Sequence, residues 1–344
     1  MRLSQMLGTA RRKFRSRSFE RRRFVNLERL EQRNLLAAVA SFDDGVLSVE
    51  GDESDDVIVV TYDSGDLTVT SDGGEIAVEG LPEEFVLEAI HVDGDGGIDD
   101  ITVNVTNLTV EEEFEVYAEG GEGDDTVQVN LSSVSVGADG TLEVYAEGGK
   151  DDDTVGITAD TLNVDGAAEL EAEGGKGLDE VTLELLSVDV SEEGSLDAEV
   201  DGGQDDDTLL HVIATDVTIA GEAELAVEGG KGNDDAIADF TNITVTESGQ
   251  LEVELEGGKG NDTADVTVNN LSVAGRLEVN AEGGPGDDSL TVEADVVSIL
   301  DGAEVFVKVE GGPGEDTLEV ILGDEITVED GAIVEIEIED KDDD

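Results

Sequence analysis

Nine times between residues 94 and 320 a glycine-rich turn opens on a glycine and closes five residues later on an aspartate. The leading glycines fall at Gly94, Gly120, Gly148, Gly174, Gly202, Gly229, Gly257, Gly283 and Gly311, in steps of 26 to 28 residues. The best-formed copies read Gly229-Gly230-Lys231-Gly232-Asn233-Asp234 and Gly257-Gly258-Lys259-Gly260-Asn261-Asp262. Glycine accepts positive φ and lets backbone carbonyl oxygens turn toward a common point, while aspartate adds a hard anionic oxygen. Six to eight such oxygens at about 2.3–2.6 Å are what calcium takes. The chemistry on offer is therefore hard-cation coordination. Its candidate carboxylates are Asp99, Asp125, Asp153, Asp179, Asp207, Asp234, Asp262, Asp288 and Asp316. The candidate turn residues beside them are Gly120 and Gly123, then Gly229, Gly232 and Asn233, then Gly257, Gly260 and Asn261. Gly283 with Gly286 and Gly311 with Gly314 complete the set. Three turns depart from the pattern: Asp151 and Asp205 stand where the third glycine belongs, and the first turn reads Gly94-Asp95-Gly96-Gly97-Ile98-Asp99.

Such turns converge only if strands hold them in line. Ahead of each turn runs an alternating segment such as Leu142-Glu143-Val144-Tyr145-Ala146-Glu147, which is period-two strand chemistry with one aliphatic face. After the turn comes a second strand, such as Asp125-Thr126-Val127-Gln128-Val129, and then a third, such as Val134-Ser135-Val136. Three short strands in about 27 residues cannot bury their aliphatic face alone, but they can when each coil stacks on the last. The expected fold is all-β: a parallel β-solenoid, right-handed as parallel crossovers generally are, with three short strands per coil. Aromatics make up only 3% of the chain and there is no tryptophan, which suits a narrow core of small aliphatics. Stacking in register would gather the aspartates into one column and Glu119, Glu147, Glu173, Asp201, Glu228, Glu256, Glu282 and Glu310 into another. Like charges about 4.8 Å apart repel by roughly 0.9 kcal/mol per pair even at the dielectric of water, so the stack requires counter-ions.

The turn sequence resembles the RTX, or haemolysin-type, calcium-binding nonapeptide Gly-Gly-x-Gly-x-Asp-x-U-x, in which U is a large aliphatic residue. The resemblance extends over residues 94–320, with one nonapeptide in three keeping the signature. It implies several calcium ions shared between stacked turns, bound by glycine-freed carbonyls and the aspartate. An acidic protein screened by sodium alone remains the alternative.

The chain carries 89 acidic and 18 basic residues, for a formal net charge of −71. Residues 1–40 hold eleven of those bases and three acids, or +8, which leaves −79 for the rest. A body so negative repels nucleic acid and anionic lipid, and its implied partners are cations. There is no cysteine, hence neither disulfide nor thiolate metal site. No run of 18 apolar residues exists to span a membrane. The basic front, the short apolar stretch Leu35-Leu36-Ala37-Ala38-Val39-Ala40 and the Ala38/Ala40 spacing before Ser41 have the parts of an export signal. Leu30-Glu31-Gln32-Arg33-Asn34-Leu35-Leu36-Ala37 resembles the LEPR-x-LL sorting segment of planctomycete-type surface proteins, with Gln32 in place of the usual proline. The resemblance implies an extracellular or cell-surface location.

The expected organisation is a sorting segment over 1–40, irregular coils over 41–93, the repetitive solenoid over 94–339 and an acidic tail over 340–344. The expected role is a non-catalytic, calcium-binding surface, matrix or adhesion module, with cell-surface glycans or matrix proteins as further partners. The rival reading is an acidic β-helix that binds or cleaves extracellular polysaccharide. A pectate-type lyase needs clustered lysines or arginines, and the body offers only Lys150, Lys176, Lys231, Lys259, Arg276, Lys308 and Lys341.

Overall fold

The structure, a computed structural model, describes residues 38–340. The sorting segment Leu30 to Ala37 and residues 341–344 of the acidic tail lie outside the described residues. Every regular element among the described residues is a β-strand, and the strands lie in two 13-stranded sheets, alternating between them from Glu113 onward. In the front sheet Glu113–Glu122, Thr141–Lys150, Ala167–Lys176 and Ser195–Gln204 are successive parallel neighbours. Thr126–Val136, Thr154–Val164, Glu180–Val190 and Leu209–Ile219 are successive parallel neighbours in the back sheet. The chain thus climbs one layer for each front and back strand, and the body is the expected parallel β-solenoid.

Registry is residue for residue. Phe114, Leu142, Ala168, Leu196, Ala223 and Leu251 form one column of front-sheet partners, all buried. Val127, Val155, Val181, Leu210, Ala236 and Ala264 form its counterpart in the back sheet. The inward residues of both sheets merge into one apolar cluster that runs the length of the stack. A slip of one residue would carry a whole strand's apolar set to solvent, so the alternation in the sequence fixes the register.

The number of strands per coil differs from expectation. The segments expected as second and third strands are one strand, for example Thr126–Val136, bent at a single residue. At the bend Asn107, Ser133, Thr161, Ser187, Asp216, Asn242 and Asn270 hold φ between +55° and +61°. One left-handed residue advances the inward phase by three positions, from Leu131 to Val134, without breaking the ladder. Asparagine suits this conformation, and its side chain ties neighbouring layers: Asn242 Nδ2 donates to Asp216 Oδ1 at 2.8 Å and Asn270 Nδ2 to Asn242 Oδ1 at 2.6 Å.

The two ends are built differently. At the N-terminal end Val39–Asp43 pairs antiparallel with Val46–Glu50, and Asp66–Ser71 antiparallel with Val57–Asp63. These reversed hairpins close the stack, with Phe42 edge-on to Phe85 at 5.4 Å between ring centroids. The expected boundary at residue 40 falls inside the first of these strands. Ala38 and Ala40 are buried in the core, so a cut before Ser41 would remove core side chains. At the C-terminal end the last strands, Thr317–Val328 and Ile333–Glu339, each have a partner on one side only among the described residues. Their inward residues Leu322, Val328, Val334, Ile336 and Ile338 are exposed, whereas Ile299, Val305 and Val309 one layer earlier are buried.

Among the bend residues Thr161 is the poorest match, because a β-branched side chain at φ +61° is strained. Thr161→Asn should raise stability by about 1 kcal/mol, read as a higher thermal midpoint. An unchanged or lower midpoint would show that the bend is not held where the structure places it.

Candidate functional site

The nine Gly-to-Asp turns lie one above another. Gly121, Gly149, Gly175 and Gly203 are direct partners across layers, and isolated bridges between Gln204, Lys231 and Lys259 continue the alignment. At two glycine positions of the best-formed turns a side chain would collide with the layer before. Gly258 holds φ +92° and Gly260 φ +145°, and a Cβ on either would overlap the carbonyl oxygen of Gly230 or Gly232 in the layer before. Backbone therefore packs on backbone at the turn.

The aspartates that end the turns point into the molecule. Asp125, Val127, Val129 and Leu131 share one parity along the strand, so the side that buries the valines also buries the carboxylate. The eight from Asp99 to Asp288 are at most 3% exposed. Each offers Oδ1 to the backbone N–H of the aspartate one layer earlier: Asp99 N–H donates to Asp125 at 2.7 Å, Asp125 N–H to Asp153 at 2.8 Å and Asp179 N–H to Asp207 at 2.9 Å. The series continues through Asp234, Asp262 and Asp288 to Asp316. The second oxygen, Oδ2, is buried without a hydrogen-bond partner from Asp99 through to Asp316. A buried polar atom left bare costs free energy, so the column is a candidate place for a proton or a cation.

The surroundings of Oδ2 suit either. An added Cβ on Gly120 would stand 2.7 Å from both Asp125 Oδ2 and the Gly148 carbonyl oxygen, so the missing side chain leaves these two oxygens facing the same small space. Gly174 repeats this with Asp179 Oδ2 and the Gly202 oxygen, and Gly257 with Asp262 Oδ2 and the Gly283 oxygen. Among the described residues no three His, Asp or Glu side chains converge into a metal site by themselves. A cation in this column would draw most of its ligands from backbone carbonyls, with one carboxylate per layer.

Other expected residues are placed elsewhere. Asn233 and Asn261 stand on the exposed rim and form a second ladder of opposite sense. Asn233 accepts the Asn261 N–H at 2.9 Å and Asn261 accepts the Asp287 N–H at 2.8 Å, so their side-chain oxygens already bridge layers. The Glu119 to Glu310 column is aligned as expected but lies on the outer front face. There the Tyr117 hydroxyl donates to Glu119 at 3.0 Å, and Tyr117 stacks on Tyr145 at 5.2 Å. Lys150 reaches Glu122 across layers. His211 Nε2 lies 3.0 Å from Asp239 Oδ2 in the next layer of the back sheet. One member of the buried column escaped the sequence reading. Asp56 is 1% exposed and donates its N–H to Asp99 Oδ1 at 2.7 Å, and Gly51 stands five residues before it. That Gly-to-Asp interval was the available signal.

Burial raises the aspartate pKa values from Asp56 to Asp288, with neighbouring carboxylates adding to the effect and the backbone N–H opposing it. Asp99, Asp125, Asp179 and Asp288 are pushed up to about 6, Asp234 to about 7, and Asp153 and Asp207 to about 8. A group whose folded pKa exceeds its unfolded value stabilises most below the unfolded value, and that stability is lost as pH rises through the folded one. In chelator, the thermal midpoint should therefore fall as pH rises from about 4 to about 8. Asp207→Asn keeps the Oδ1 acceptor and removes the charge, so it should raise the midpoint at pH 8 more than the same change at exposed Asp189. A midpoint that holds or climbs with pH in chelator would contradict a column of buried carboxylates.

No protein-family model matches the chain, and comparison with curated proteins and with solved structures finds no match.

Proposed function

We propose that this protein is an exported structural β-solenoid whose turn column binds calcium, serving as a surface, matrix or adhesion module. The observation that carries the reading is the run of bare, buried Oδ2 atoms, one per layer, seven of the nine from Asp99 to Asp316 sharing their space with a glycine carbonyl. Asp99, Asp125, Asp153, Asp179, Asp207, Asp234, Asp262, Asp288 and Asp316 would hold the ions, with carbonyls of the leading glycines such as Gly148, Gly202 and Gly283. Bound calcium supplies positive charge that offsets the repulsion within the column. The protein's own part is to present oxygens at fixed intervals and to exclude water from the carboxylates.

Export gives this arrangement a use. In a low-calcium cytosol the acidic body repels itself, and outside the cell calcium favours the ordered stack by mass action. The basic segment and the sorting resemblance support that route, as does the fit of a rigid rod to a surface or matrix. Among the described residues no helix is long and apolar enough to cross a membrane. Catalysis on polysaccharide forms no part of the proposal.

Thermal midpoints in sodium, magnesium and calcium chlorides at matched ionic strength, against chelator, test the reading. With weak extracellular-type sites of about 10⁻⁴ to 10⁻³ M, about 10 mM calcium should add about 1.4–2.7 kcal/mol per occupied site. Asp234→Ala with Asp262→Ala should lower the bound calcium measured by equilibrium dialysis. Equal midpoints in all three salts would replace specific binding with general screening.

A further inference from the structure

The C-terminal end of the stack presents the interface that every inner layer makes with the next, and among the described residues nothing occupies it. Two strand edges, Thr317–Val328 and Ile333–Glu339, run side by side, and among the described residues no strand pairs on their outer side. Between them the inward residues form an apolar strip: Leu322 and Val328 are each 54% exposed, Val334 42%, Ile336 41% and Ile338 51%. Proteins block such edges with inward-pointing charges, bulges or covering segments. Here Glu335 and Glu337 pair with the outward positions Phe306 and Lys308, so the charges flank the strip without covering it. We propose that this end docks on the same end of a second copy, giving a two-fold, end-to-end dimer.

The two-fold follows from the asymmetry of the ends. Head-to-tail stacking would need an open parallel edge at the N-terminal end, which the reversed hairpins and the two-residue strands Gly74–Glu75 and Val78–Glu79 close. A two-fold axis across the stack reverses strand direction, so equivalent ends meet antiparallel, and the interface is self-complementary. With Ile333–Glu339 pairing about Ile336, Val334 meets Ile338 and apolar faces apolar. The end measures about 35 Å along an eleven-residue strand and about 20 Å across two sheets with their side chains, or roughly 700 Å² per copy. That approaches the roughly 800 Å² per partner of a stable interface. Glu335 would meet Glu337 on the outer face, so salt that screens like charge should strengthen the dimer.

The 344-residue chain serves for the test, by sedimentation velocity over a concentration series in 0.5 M sodium chloride, with calcium and with chelator. The expected result is a species of twice the monomer mass wherever the thermal midpoint shows a folded chain. Ile336→Lys with Ile338→Lys should weaken association at least tenfold, and Leu178→Lys, at an exposed turn remote from the end, should leave it unchanged. The chain has no cysteine, so spin labels at Asp340→Cys or Asp66→Cys report on an otherwise wild-type protein. Labels at Asp340→Cys should lie within about 50 Å of each other. Labels at Asp66→Cys should fall beyond range, because two stacks of eleven layers at about 4.8 Å separate them by about 100 Å. A folded monomer at every concentration, a lysine variant that still dimerises, or close Asp66→Cys labels would overturn the proposal. Calcium binding is read separately by the midpoint shift, so either proposal can fail without the other.

Discussion

Parallel stacking in register brings every side chain against its own equivalent one layer away. For leucine, valine and alanine this is favourable, because identical shapes at a fixed interval pack into a continuous core without aromatic anchors. For a carboxylate it is costly. The buried aspartates answer in part by hydrogen bonding: each Oδ1 takes the N–H of the aspartate in the layer before, at 2.7–2.9 Å. That bond draws on half of the carboxylate. The remaining oxygen faces the glycine cleft without a hydrogen-bond donor, and its requirement repeats with every layer.

Two side-chain ladders therefore cross each turn in opposite senses. In the buried one an N–H reaches forward to the next layer's Oδ1. In the rim ladder the N–H reaches back, as Asn261 does to Asn233 and Asp287 to Asn261. A turn of mostly glycine has little side-chain packing of its own, and these paired ladders clamp it from both sides. One geometry thus favours glycine at the close approaches and an oxygen-bearing side chain at the two ladder positions, and Ile98 and Leu178 interrupt the rim ladder. The turn signature thus has a structural explanation even before a cation is considered, and the bare Oδ2 is the part this explanation leaves over.

The coil length, the parallel stack and the aspartate column were legible because a Gly-to-Asp interval of five recurs every 26 to 28 residues. The inward direction of the aspartates went unread, although Asp125 shares parity with Val127 and Val129. The single-residue bend was not legible. A spacing of three between Leu131 and Val134 reads equally as a turn between two strands or as one left-handed residue within a strand, and only the backbone distinguishes them. The role of Asn233 and Asn261 was hidden for a related reason. Their partners lie 26 to 28 residues away in the chain, and a side-chain oxygen that caps the next layer looks in sequence like one that awaits a metal.

The burial of the carboxylates also decides what kind of device the column can be. An aspartate on a solvated rim would tolerate sodium, water or nothing, and its charge would be one among 89 acids. An aspartate locked inward by strand parity has no such freedom, because turning it out would turn Val127 and its equivalents out as well. Its second oxygen repeats the same unmet requirement layer after layer. Stability of a stacked array is a sum over neighbouring layers. A small benefit at each turn therefore multiplies along the rod, while a single unmet layer weakens only its own two junctions.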